Sequence, residues 1–161
     1  MSKFKDNMSS VVFMWIGFGL AVVAVLMMFV PGIEYLHISA SKDIFFNVAG
    51  GDTHANLHGA WPVFMGYMLL VLGGLILAVL GLPFINKDGG KAEKIALLSA
   101  GIALLAGTVL VFLTKVIYVG IQGNDLVGSK DAYTQLAGPY VAGALGALAF
   151  ICDGVAFYLD M

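Results

Sequence analysis

The chain has 161 residues, 60% of them hydrophobic and only 11% charged, with a formal net charge of −2. Soluble domains carry about 25% charged residues, so this composition points to a membrane protein. All eight cationic residues are lysines and form no basic stripe, which argues against a nucleic-acid partner and against arginine forks gripping phosphate.

Four apolar runs occupy residues 11–30, 61–82, 95–119 and 139–159. Each reaches the roughly 20 residues a helix needs to cross a hydrocarbon core about 30 Å thick. The predicted fold is an all-α membrane protein. It is a four-transmembrane-helix bundle forming one domain over residues 1–161, with a small extracellular β-hairpin between helices 1 and 2.

The first run follows Lys3 and Lys5, as a signal peptide would. Signal cores are shorter, about 7–15 residues, so an uncleaved first span is expected. Ser9 or Ser10 can cap this helix, and Pro31-Gly32 ends it. The next segment is rich in strand formers. Residues 33–38 and 43–48 read as two strands joined by a turn at residues 39–42. A lone hairpin is marginal in water. Tyr35, Phe45 and Phe46 therefore form a candidate interaction surface, and the hairpin is expected to pack on residues 120–135.

The same segment holds all three histidines, with Asp52, His54 and His58 close together. If a helix begins near Thr53, the last two stand one turn apart on one face. Such a pair can hold a divalent transition metal with Asp52, His37 or Glu34 as third ligand. No glutamate follows the first histidine, so the pattern is not the metalloprotease motif. Interfacial histidines bonded to backbone or headgroups are the plainer reading. No cofactor is expected.

Pro62 sits near the start of the second helix, where a missing N–H costs little. Asp88-Gly89-Gly90 makes the next turn, and the third helix starts in residues 91–94. Running on to Val119, that helix exceeds the core thickness, which predicts tilt or a protruding end. Lys115 can snorkel to the surface, while Thr108 and Thr114 are expected to bond their own backbone. Trp15, Trp61, Tyr35, Tyr118, Tyr140 and Tyr158 mostly flank span ends and read as interfacial anchors.

Pro139 opens the fourth helix, in which Gly138, Ala142 and Gly146 recur at spacing four and form a small-residue groove. Ala100, Gly101, Ala103, Ala106 and Gly107, together with Gly66, Gly73, Gly74, Gly17 and Gly19, add further small surfaces. Small residues let helix backbones approach in a solvent where hydrophobicity gives no drive. Most of these surfaces are expected to close the bundle itself, and a surplus to serve association.

Asp153 is the intramembrane charge of the fourth run. It is expected near the membrane surface on the side of the termini, within reach of Lys91, Lys94 and Ser99. The alternative reading is a protonatable or cation-binding site. Cys152 is the sole cysteine, so neither an intramolecular disulfide nor a multi-thiolate zinc site can form.

Four spans place both termini on one side, with Lys3, Lys5, Lys87, Lys91 and Lys94, against Lys42, Lys115 and Lys130 on the other. The positive-inside rule puts the termini in the cytoplasm. Four spans with an outer hairpin resemble the claudin-like tetraspan architecture in shape. That family's paired outer cysteines and Trp-Gly-Leu-Trp pattern are absent here, so no residue or function carries over.

The expected function is non-enzymatic. The chain reads as a subunit, scaffold or accessory factor of a membrane assembly, in contact with lipid and with copies of itself or other membrane subunits. A small channel or transporter subunit using Asp153 is one alternative, and a metal-binding protein using His54 and His58 is another. A prokaryotic cell membrane is the expected setting.

Overall fold

In the computed structural model the chain is described over residues 2–30, 32–35, 38–40, 60–82, 90–122 and 133–159. It is mostly helical, with helices α1 (Ser2–Leu26), α2 (Trp61–Leu80), α3 (Lys91–Phe112), α4 (Thr114–Gln122) and α5 (Ala137–Leu159). Four helical stretches are long and apolar enough to cross a membrane: Met8–Phe29, Trp61–Leu80, Lys91–Phe112 and Ala137–Leu159. They fit a multi-pass membrane protein.

Local chemistry sets the helix ends. A 3-10 turn, Met27–Phe29, finishes the first span, and Val30 is extended at φ −88°, ψ 140°. Val30 precedes Pro31, whose ring disfavours the helical conformation in the residue before it. Pro62 lies in the first turn of α2 as expected. Ser9 and Ser10 do not cap α1, because the helix starts upstream of them at Ser2. Ser10 is instead buried, and its hydroxyl donates to the Ala156 carbonyl of α5 at 3.4 Å.

The third predicted span divides in two. α3 stops at Phe112, Leu113 leaves helical geometry at φ −85°, ψ 16°, and α4 resumes at Thr114. The Thr114 hydroxyl donates to the Val111 carbonyl at 2.6 Å. A side chain from a distant strand fills the break. Gln135 Nε2 donates to the Phe112 carbonyl at 3.1 Å, and its Oε1 accepts the Lys115 backbone N–H at 2.9 Å. One carboxamide thus satisfies a donor and an acceptor that a helix end would leave unpaired.

Three short strands lie between the helices in sequence: β1 (Ile33–Tyr35), β2 (Ile38–Ala40) and β3 (Tyr133–Gln135). Their order is β2-β1-β3, and both pairings are antiparallel. β1 pairs Tyr35 with Ile38 of β2 and Ile33 with Gln135 of β3. The expected hairpin differs from this register. Residues 33–38, read as one strand, contain β1 and the start of β2, because the run of strand formers carries no glycine, proline or asparagine to mark its middle. Residues 43–48, with Phe45 and Phe46, lie outside the described residues. The expected packing of the first connecting segment on the second is present as the β1–β3 pairing. Ile33, Tyr118 and Tyr133 are buried beneath it, with the two tyrosine rings 6.0 Å apart.

The four spans form a ring, α1–α2–α3–α5, with α5 closing against α1. Every neighbouring pair is antiparallel. Gly74 meets Ala21, Gly73 meets Leu104, Gly101 meets Asp153, and Gly17 meets Cys152. Backbones approach most closely between α2 and α3, where a methyl group at position 107 would lie 2.7 Å from the Gly66 carbonyl oxygen. Trp15 ties α1 to the end of α2, its indole N–H donating to the Gly81 carbonyl at 3.1 Å.

The contrast between buried and open glycines is testable. Gly107→Ala forces two backbones apart and should cost about 1–3 kcal/mol. Gly19→Ala meets nothing within 4 Å. It should be neutral, or stabilising by up to about 1 kcal/mol through helix propensity. Thermal unfolding of the two variants in detergent measures the difference.

Candidate functional site

The seam between α3 and α5 concentrates the polar groups of the spans. Its register follows from two antiparallel helices packed glycine to side chain. On α3, Gly101 and Thr108 are seven residues apart; on α5, Gly146 and Asp153 are also seven apart. Gly101 faces Asp153 and Thr108 faces Gly146. Two heptad-spaced contacts therefore lie about 10 Å apart along the seam. In each, one helix supplies a polar side chain and the other a glycine that makes room for it.

The fit is close in both. A methyl group at position 101 would stand 2.5 Å from Asp153 Oδ2, and one at position 146 would stand 2.5 Å from Thr108 Oγ1. Asp153 is 4% exposed and Thr108 5% exposed. Neither Asp153 Oδ1 nor Thr108 Oγ1 has a hydrogen-bond partner. Such orphaned groups are uncommon in folded proteins, because removing a polar atom from water without a partner is costly.

The partners expected for Asp153 are elsewhere. The Ser99 hydroxyl donates to the Ala96 carbonyl at 2.7 Å. Lys94 precedes Gly101 by seven residues, about 10 Å along α3, and Lys91 is farther still. Asp153 lies opposite Gly101, near the middle of Lys91–Phe112 and six residues before the end of Ala137–Leu159. α3 begins at Lys91 as expected, and its polar first turn lies about 10 Å or more along the helix from the aspartate. Thr114 bonds its own backbone as expected, and Thr108 does not.

Gly138, Ala142 and Gly146 are all buried within the chain. The groove on the last helix is thus filled by α3, with Thr108 over Gly146 and Phe112 over Gly143. Asp52, His54 and His58 lie outside the described residues, and the described part of Tyr35 is its backbone in β1. Among the described residues no three histidine, cysteine, aspartate or glutamate side chains come together as a metal site. Cys152 is half-buried and free, beside Gly17 of α1.

Two parts of this arrangement went unread in the sequence. The equal seven-residue spacings of Gly101–Thr108 and Gly146–Asp153 are a visible signal of an antiparallel, reciprocal seam. Nothing in the sequence marks Gln135 as the clasp of the α3–α4 break.

The Thr108–Gly146 contact can be isolated by a double-mutant cycle. Gly146→Ala places a methyl group on Oγ1 and should destabilise the bundle by about 1–3 kcal/mol. Adding Thr108→Ala removes the obstructing oxygen and should recover about 1 kcal/mol or more as a coupling energy. Additive effects in detergent unfolding would place the two residues apart.

No family model and no curated protein matches this chain.

Proposed function

We propose that this chain is a non-enzymatic multi-pass membrane protein that works by association, as a subunit, scaffold or accessory factor of a larger membrane assembly. The observation that carries the reading is Gly19. The small-residue groove on the last helix is buried within the chain, so association needs another surface. α1 offers one. Only 22% of its span is buried, against 44% for α2 and for α3. Val12, Trp15, Ile16, Val22, Val23 and Leu26 are exposed around Gly19, which has open space above it.

Bulky side chains on such a face suit lipid, but a glycine among them does not. It weakens the helix by about 1 kcal/mol relative to alanine. It also leaves a notch that a second helix backbone fills better than a flexible acyl chain. The closest fit is a neighbouring helix, from another copy or from a different membrane subunit. The lysine distribution supports cytoplasmic termini, with the three-stranded sheet on the extracellular side of a prokaryotic cell membrane.

Native mass spectrometry from lipid nanodiscs tests the association reading. The parent chain should run as a defined oligomer or with a stoichiometric membrane partner. Gly19→Leu, which has room to fold, should reduce that species at least tenfold. A parent chain that is monomeric and unaccompanied at all concentrations would contradict the proposal.

A further inference from the structure

Asp153 raises a question that packing leaves open: what accompanies a carboxyl group buried between two membrane-type helices? Its Oδ1 has no hydrogen-bond partner, and Oδ2 occupies the space that Gly101 vacates. A carboxylate left alone in an apolar seam is strongly disfavoured, so a cation must come with it.

Among the described residues, the charged and titratable groups of the surrounding elements do not supply one. On α3, Glu93 and Lys94 lie about two turns from Gly101. On α1, the residues from Met8 to Leu26 contain no ionisable side chain, and Lys3, Lys5 and Asp6 lie about three to four turns before Gly17 in sequence. α2 contributes only Tyr67, at the level of Gly66. On α5, Cys152 is the neighbouring titratable group, and its Cβ is beside Gly17.

A metal cation needs several oxygens around it, typically six or more for calcium or magnesium. Here the next polar side chain along the seam is Thr108, about 10 Å away. A proton needs one oxygen only, and no added volume. It therefore fits a carboxyl group that packs against a glycine and has no hydrogen-bond partner at Oδ1.

We propose that Asp153 is a proton-binding site inside the α3–α5 seam. The carboxylate takes one proton from bulk water to form an O–H bond at a carboxyl oxygen, and returns it when water reaches the seam. Release leaves a charge facing the Gly101 backbone with no counter-ion, so the deprotonated state favours a seam that parts or hydrates. Proton occupancy is thereby coupled to the α3–α5 contact. This inference is independent of how the protein associates, since the site lies within one chain.

Infrared difference spectroscopy of the full chain in lipid bilayers tests it. The parent should show the C=O band of a protonated carboxylic acid that rises and falls reversibly as bulk pH is cycled. Asp153→Asn should remove that band. Asp153→Glu should shift its frequency, which assigns the band even if the asparagine variant folds poorly. A carboxylate at every pH would overturn the proposal. So would an acid band that persists unchanged until the protein unfolds, because the carboxyl would then be a fixed structural group.

Discussion

Close approach of helix backbones at glycine is the constraint on which this structure depends. Between spans in hydrocarbon, burial of apolar surface gives no net drive, and helices must gain their attraction from dispersion at short range. That requires backbones to touch. Gly66 and Gly107 do so between α2 and α3, and Gly17, Gly74, Gly101 and Gly146 let side chains of the facing helix sit against the main chain. A β-carbon at any of these positions would hold the helices apart. The ring α1–α2–α3–α5 is thus a consequence of where the glycines fall as much as of the apolar pattern.

The same closeness makes the polar groups costly and therefore informative. Where the ring ends, polar groups find partners: Trp15 on the Gly81 carbonyl at one end, Gln135 in the α3–α4 break at the other. These bonds fix the ends of the bundle to its connecting segments. Between them the α3–α5 seam holds Asp153 and Thr108, each with an unpartnered oxygen. A bundle closed for stability alone would do better with apolar side chains of similar volume there, since no desolvation of a polar group would be required. The polarity of the seam is the feature that stability does not explain.

Much of this was legible in the sequence, and the misses have physical causes. Span number and approximate limits follow from apolar run length, a property each segment carries by itself. Pro31 and Pro62 likewise act locally, and both helix ends obey them. Pairings between distant segments are less visible. The strand formers at residues 33–40 announce a β region but not where it folds back, and Gln135 looks like any polar residue before a helix. The small-residue groove of Gly138, Ala142 and Gly146 was readable as a contact surface, but not which helix fills it. A glycine face is the same whether its partner lies in the same chain or in another. Asp153 was visible as an unusual charge, but not the glycine it faces, because which helix face meets which is set by the packing of distant segments.

The central claim is that the first and last spans close the ring through a small-residue seam. Position 17 and Cys152 test it directly, since a Cβ built on Gly17 would be 3.3 Å from the Cys152 Cβ. That spacing is close to the range a disulfide requires, about 3.5–4.5 Å between β-carbons. Oxidation of Gly17→Cys in native membranes should cross-link it to Cys152 within one chain. The product should be a monomer of altered mobility on a non-reducing gel that reverts on reduction. Gly19→Cys, on the outward face of α1, should give no such intrachain product. A Gly17→Cys chain that stays reduced, or that cross-links no better than the Gly19 control, would contradict the closed ring.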